Sequence, residues 1–272
     1  MENEISIYDC LNEFRKPLLL EIINSLGLPS GSKGLDAGCG MGEITKLLYE
    51  NVGKSGELTG LDFSEDMIQY AKNKNKNKNI KFIEGDVNSL AFADNSFDWV
   101  WSCDTVWSGP KDLGCPSDNP SSIINEYCRV VKPGGSIILL FWSSQKLLSG
   151  YPLLESKLNS TSSANAPFTY GMDPKFHVLN MKYWLEKSGL EDIKAETFLY
   201  DINAPLNQND RKALKFLFDM LWYASKTELN EVDWKNYLRL TDISSKDFIL
   251  NNPYYCGFYT YTVFTGKLKE YE

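Results

Sequence analysis

The 272-residue sequence contains a single histidine, His177, and no Cys-x-x-Cys pair. A zinc cluster and a disulfide framework both need closely spaced thiols or imidazoles, so neither is expected, and no metal site is assigned. Cys10, Cys39, Cys103, Cys115, Cys128 and Cys256 are scattered along the chain. That usage fits a reducing, cytoplasmic compartment. No long uncharged apolar run occurs, so no membrane span is expected. The start, Met1-Glu2-Asn3-Glu4, lacks the basic opening of a secretory signal. A basic excess is missing too. There are 28 Lys and Arg against 36 Asp and Glu, a net charge of −8. This argues against a nucleic-acid partner, which would need a basic face.

What is present is a glycine turn, Gly34-Leu35-Asp36-Ala37-Gly38-Cys39-Gly40-Met41-Gly42-Glu43. It ends a short buried strand and opens a helix over 43–50. A turn of this kind lets a ligand approach backbone N–H groups, and the helix start adds free donors and partial positive charge. A nicotinamide dinucleotide fits poorly. Its G-x-G-x-x-G pattern, counted from Gly38, places Glu43 at the third glycine. Glu43 and Asp36 would repel a pyrophosphate. A ligand with one carboxylate for the N–H groups and one cationic group for Asp36 fits better, and an amino-acid end has both.

The rest of the chain reads as strands and helices in alternation. A helix is expected over 8–26, where Leu11, Phe14, Leu18, Ile22 and Leu26 recur at helical spacing. Pro17 inside it predicts a kink or a late start near Arg15. The first strand covers 34–37. A second strand ends at Asp62, about 20 residues beyond the glycine turn, where a ribose-binding acid is expected. Ser64 then caps a helix carrying Met67, Ile68 and Ala71. The alternating Asn and Lys of 73–79 reads as a solvated loop. A third strand over 80–87 ends in Gly85-Asp86-Val87. A fourth covers 97–102, with Asp98 at its structural end and Ser102, Cys103 and Asp104 at the ligand edge. A helix over 121–131, a turn at Lys132-Pro133-Gly134-Gly135 and an apolar fifth strand over 136–142 follow. Strands six and seven are expected over 192–201 and 254–267. The order predicts a doubly wound α/β fold.

The acidic glycine turn, the acid ending strand two, the Gly-Asp ending strand three and the Val131-Lys132-Pro133-Gly134-Gly135 turn together resemble the class I S-adenosylmethionine-dependent methyltransferases. The small-molecule group that includes the ubiquinone- and menaquinone-biosynthesis enzymes is the nearest type. The resemblance covers roughly residues 11–142. It implies a Rossmann-like, doubly wound, seven-stranded sheet, mostly parallel with an antiparallel edge strand, plus helical cap insertions. It implies one methyltransferase domain over 1–272, with a lid helix at 8–26 and caps near 143–176 and 203–251. S-adenosyl-L-methionine is the implied cofactor, S-adenosyl-L-homocysteine the product, and a small-molecule methyl acceptor the partner. Asp36, Gly38 and Gly40 carry over to the methionine end. Asp62 carries over to the ribose. Asp86 and Val87 carry over to the adenine, with Met67 packing on its face. Cys39, Phe63, Ser102 and Cys103 complete the expected cofactor surroundings.

Methyl transfer from a sulfonium is an in-line displacement in which positioning and desolvation do most of the work. A hydroxyl or protonated-amine acceptor calls for a base, and Asp104 and His177 are the candidates. Tyr8 and Arg15 on the first helix and Trp107 after strand four are candidate substrate contacts. Each has a plainer reading: Asp104 as a turn or capping acid, His177 as a packed loop residue, Trp107 as core. Asn252-Pro253-Tyr254-Tyr255 is similar to the N-P-P-Y motif of methyltransferases acting on planar amino groups, but that motif follows strand four, so here it reads as a turn. Two rival functions stand beside the main one. One is an S-adenosylmethionine-binding protein without transferase activity, and the other is an RNA or protein methyltransferase. Oligomeric state is not legible.

Overall fold

The computed structural model describes residues 2–111, 114–168 and 171–270, with backbone only for 2–6. In chain order the helices and strands are α1 (Glu2–Ser25), β1 (Lys33–Ala37), α2 (Glu43–Val52), β2 (Glu57–Asp62), α3 (Glu65–Lys74), β3 (Ile80–Glu84) and β4 (Phe97–Cys103). There follow α4 (Ser121–Val130), β5 (Val131–Lys146), α5 (Pro152–Asn159), α6 (Ser162–Asn165), α7 (Met181–Lys187), β6 (Leu190–Asn203), α8 (Gln208–Trp222), α9 (Glu231–Thr241) and β7 (Cys256–Leu268). The seven strands form one sheet in the order β3-β2-β1-β4-β5-β7-β6. β1 to β5 pair in parallel, and the antiparallel pairing is at the far margin. The expected Rossmann-like topology is therefore present.

The chain divides into two compact units. One holds 19–143, 170–198 and 261–272 and carries the five parallel strands, apart from the last residues of β5. Its core lies between the sheet and the helices α4 and α7, where Leu35, Val100, Ile124, Tyr127, Leu139 and Leu185 are buried together. β1 and β4, inside the sheet, are buried at almost every position and so read as apolar runs. Asp98 is structural, as its place at the strand entrance suggests. It accepts the Lys33 N–H at 2.7 Å and pairs with Lys132 Nζ at 2.7 Å, and these partners hold its carboxyl below the usual range despite some burial.

The other unit holds 1–18, 144–169 and 199–260. Most of both expected insertions fall here, as α5, α6, α8 and α9, although residues 169 and 170 lie outside the described residues. Glu155 at its centre is buried and accepts the Leu147 N–H at 2.6 Å. Among the described residues no helix is long and apolar enough to cross a membrane.

Several boundaries differ from the sequence reading. α1 begins six residues earlier, at Glu2, and continues through Pro17, where the apolar stripe on both sides of the proline (Leu11, Phe14, Leu18, Leu19, Ile22, Ile23) is buried. The Lys-Pro-Gly-Gly turn lies inside β5 as an irregularity, and the register passes from Phe97↔Val131 to Trp99↔Ser136 across it. β3 stops at Glu84, since Asp86 folds the chain into a turn by accepting the Asn88 N–H at 2.8 Å. β7 starts at Cys256 because Asn252 closes a turn on Tyr254 and Tyr255, which confirms the turn reading of Asn252-Pro253.

Candidate functional site

The site is built where β1, β2 and β4 end. Asp36 is the penultimate residue of β1 and is only 1% exposed. Its Oδ2 accepts the Thr45 hydroxyl at 2.6 Å. Burial pushes its pKa up to about 7, the nearby Asp62 charge adds to the rise, and the Thr45 bond opposes it. Thr45 was not legible as a site residue from motif spacing. The signal was a polar residue inside the apolar stripe of α2, where it is buried in line with Leu48 and Val52.

The glycine turn is sewn to β2. The Gly38 and Cys39 N–H groups both donate to Leu61 O, at 2.7 and 2.9 Å. The Gly40 N–H donates to Asp62 Oδ2 at 2.8 Å, and the Gly42 N–H donates to Cys39 O at 3.0 Å. This corrects the expectation that these N–H groups receive a ligand carboxylate, because they are spent on the turn's own shape. What the turn offers is room. A side chain at Gly40 would meet nothing within 4 Å, whereas one at Gly38 would lie 2.0 Å from Thr105 Oγ1. Both glycines have positive φ, +50° and +83°, where L-residues are strained. Cys39 is buried and its thiol pKa is pushed up by burial, so it is a packing residue and not a nucleophile.

Asp62 has two duties. Oδ2 holds Gly40 and Oδ1 accepts the Ser64 N–H at 3.0 Å. It therefore acts at the start of α3 as well as on the loop, although Ser64 Oγ also accepts there, from Met67 N–H at 3.4 Å. Each carboxylate oxygen keeps a further lone pair for a ligand donor. Phe63, next in sequence, is 82% exposed. Its ring thus stands in solvent directly after the anchored Asp62. Met67 is half-buried, Asp86 is exposed and Val87 is buried. Asp62 ends β2 and Met67 lies on α3, as the sequence reading placed them, whereas Asp86 and Val87 follow β3 instead of ending it.

The expectations for β4 are corrected. Ser102 is 1% exposed and donates to Ala37 O at 2.9 Å, with the Tyr127 hydroxyl 3.2 Å away. Strand alternation points it under the sheet. Cys103 is buried and its thiol faces Asp104 Oδ2 at 3.6 Å. Asp104 has φ of +50°. Its Oδ1 accepts the Trp142 N–H at 2.8 Å and its Oδ2 accepts the Tyr261 hydroxyl at 2.5 Å. Both oxygens are engaged in tying β4 to β5 and β7, so the carboxylate is a tie rather than a base. Trp107 donates its indole N–H to Asp104 O at 2.9 Å and meets Phe141 edge-on at 5.7 Å. It is a core residue.

The remaining candidates have local roles. His177 accepts the Leu179 N–H on Nδ1 at 3.2 Å and so caps the short 3-10 turn Val178–Asn180. Burial lowers its pKa, which favours the neutral, accepting ring. Tyr8 is exposed and meets Phe216 edge-on at 6.4 Å. Arg15 donates to Asn12 Oδ1 at 2.8 Å within its own helix. Of the aromatic run before and within β7, Tyr255, Tyr259 and Tyr261 are buried, so core packing is its main use. Among the described residues no group of three His, Cys, Asp or Glu could hold a metal ion.

A family model described as a methyltransferase domain matches residues 28–197. Demethylmenaquinone methyltransferase of Staphylococcus aureus (strain JH9) is 36% identical over 148 residues, which is 52% of this chain and 57% of that protein. The same figures hold for the protein of strain Newman. The chain thus spans little more than half the length of these relatives. Among solved structures, a SAM-dependent methyltransferase from Aquifex aeolicus superposes with a TM-score of 0.52 at 17% identity, covering 97% of both chains. Phosphoethanolamine N-methyltransferase 2 of Haemonchus contortus, in complex with S-adenosyl-L-methionine, gives 0.55 at 15% identity over 97% of this chain and 57% of the other. These two likenesses establish the fold.

Proposed function

The chain belongs to the class I S-adenosylmethionine-dependent methyltransferases, and from that premise we propose that it transfers the cofactor's methyl group to a small-molecule acceptor. One observation carries this reading. Asp62 is fixed by Gly40 and Ser64, next to a glycine with open space and an exposed Phe63. That set fits an adenosine: an accepting carboxylate for the ribose hydroxyls, a flat apolar surface for the base, and backbone that can be approached closely.

Bound there, S-adenosyl-L-methionine supplies a methyl group already activated on sulfur. The chain's own tasks are to hold, orient and dry the reactants. Asp62 accepts from the ribose hydroxyls with the lone pairs the N–H groups leave. Phe63 and Met67 flank the adenine, and Asp86 and the Val87 N–H address its edge. Asp36 supplies negative charge for the cationic methionine end, although its burial makes this an action through space. Neither Asp104 nor His177 stands out as a base, because both have other work. An acceptor that is acidic on its own account needs none. The S. aureus similarity makes a demethylmenaquinone-type ring the first acceptor to test. A cytoplasmic location belongs to the same proposal and is supported by six free cysteines.

Calorimetric titration with S-adenosylmethionine and S-adenosylhomocysteine, followed by labelled methyl transfer to demethylmenaquinone analogues, tests it. Micromolar binding with label in product is the expected result. Binding without turnover on any small acceptor would favour a cofactor-binding protein, and no binding of either compound would remove the site assignment. A glycine pair sharpens the test. Gly40→Val should keep the fold at a cost of about 1–2 kcal/mol for the left-handed residue, yet lose cofactor binding because its side chain fills the open space. Gly38→Ala should instead lower the thermal midpoint steeply through the Thr105 clash. Equal binding by Gly40→Val and the parent would show that no ligand uses that space.

A further inference from the structure

The connection from β3 to β4, residues 85–96, contains no helix. On one face of the edge strand β3, Lys81 and Ile83 therefore stay exposed. The register pairs Lys33 with Glu57 and Thr59 with Lys81, so these four side chains project from the same face. They border a cleft of about 250 Å³ at the amino ends of the strands, at the opposite end from Asp62. Lys78, from the Asn-Lys run, closes its outer side, and Phe92 and Phe97 are among its apolar walls.

The charge here runs against that of the whole chain. Three lysines meet one carboxylate, Glu57, in a protein of net charge −8. Among the described residues, Lys33, Lys78 and Lys81 form no ion pair within 4.0 Å. Lys33 is already placed, with Nζ 5.4 Å over the Phe97 ring. Asp98 lies close enough for Lys33 to lower its pKa. Its oxygens, however, are taken by Lys132 and the Lys33 N–H. Three lysines around a cleft that also presents Ile83, Phe92 and Phe97 favour an anion with an apolar body.

We propose that this cleft binds a small phosphate ester with a flat apolar group. The three ammonium groups take the phosphate oxygens as charge-assisted donors, and the flat group lies against Phe92 and Ile83. The occupant is separate from the cofactor and the methyl acceptor, and the proposal does not depend on the transferase reading.

The test titrates 1-naphthyl phosphate and inorganic phosphate into the full chain, with and without saturating S-adenosylhomocysteine. Saturable binding of the ester is expected, about tenfold tighter than phosphate alone and unaffected by S-adenosylhomocysteine. The surface double variant Lys78→Ala/Lys81→Ala should weaken it by roughly tenfold or more, and Glu57→Gln should strengthen it severalfold by removing the competing carboxylate. Absence of saturation at about 10 mM ester, or equal affinity in the double variant, overturns the proposal. So does loss of binding when S-adenosylhomocysteine is present, which would place the ester in the cofactor site. Equal affinity for ester and phosphate would remove the apolar part of the assignment.

Discussion

Asp62→Ala is expected to weaken S-adenosylmethionine binding by about 100-fold or more while the chain stays folded. The carboxylate is only half-buried, so its loss opens no large cavity. It does remove the acceptor for Gly40 and Ser64 N–H groups. If the ribose hydroxyls also donate to it, two charge-assisted bonds at roughly 1.5–3 kcal/mol each are lost from the complex. At about 1.4 kcal/mol per tenfold, the direct loss alone spans about two to four decades. Relaxation of the loop adds to it. Asp62→Asn separates the two effects. Its amide oxygen can still accept one N–H, but its NH2 group cannot accept from a hydroxyl. An intermediate affinity, with a thermal midpoint near the parent's, is expected for Asn. Calorimetry and a melting curve on the same samples read both. If Asp62→Ala binds within about threefold of the parent, the lost bonds were not there, and the ribose assignment fails.

The place of Asp62 at the end of β2 was legible because strand, turn and acid sit at fixed spacing along the chain. The doubly wound α/β class was legible for the same reason: apolar runs, glycine turns and caps are local signals. The partners of the turn's N–H groups were not. Whether Gly38 and Cys39 donate to a ligand or to Leu61 depends on the pairing of β1 with β2 (Ala37↔Leu61), which is a contact across 24 residues. Asp104 shows the same limit more sharply. Its place at the end of β4 is that of a site residue, but the groups that claim its oxygens come from Trp142 and Tyr261. Nothing near Asp104 in sequence marks them. Ser102 differs, since alternation alone could have placed it under the sheet. The plainer reading of His177, a loop residue before a helix, left out its capping: the imidazole directly precedes the Val178–Asn180 turn and accepts the Leu179 N–H.

The second large effect concerns Asp36 and pH. Its carboxyl titrates near 7 in the folded chain against 3.8 ordinarily, chiefly through burial. Between those values the folded state holds a proton that the unfolded state has released. Stability therefore falls as pH rises from about 4 to about 7, and the loss is complete above that. A rise of about three units corresponds to about 4 kcal/mol, an upper figure for a buried group. Asp36→Asn fixes the side chain in a neutral form and keeps an oxygen for the Thr45 hydroxyl. The variant should match the parent only below about pH 4, already melt higher at pH 5, and melt several degrees higher at pH 8, less whatever its new N–H groups cost if unpaired. Cofactor binding should move the other way. A cationic methionine end favours ionised Asp36, so parent affinity should rise between pH 6 and 8, and the variant should be weaker and flatter there. Thr45→Val removes the hydrogen bond that lowers the Asp36 pKa, so its affinity midpoint should shift to higher pH. Parallel melting curves for parent and Asp36→Asn across pH 5 to 8 would show that this carboxyl does not change its proton in that range. Opposed signs are expected: a buried acid that destabilises the empty fold at neutral pH would regain that energy on binding a cation.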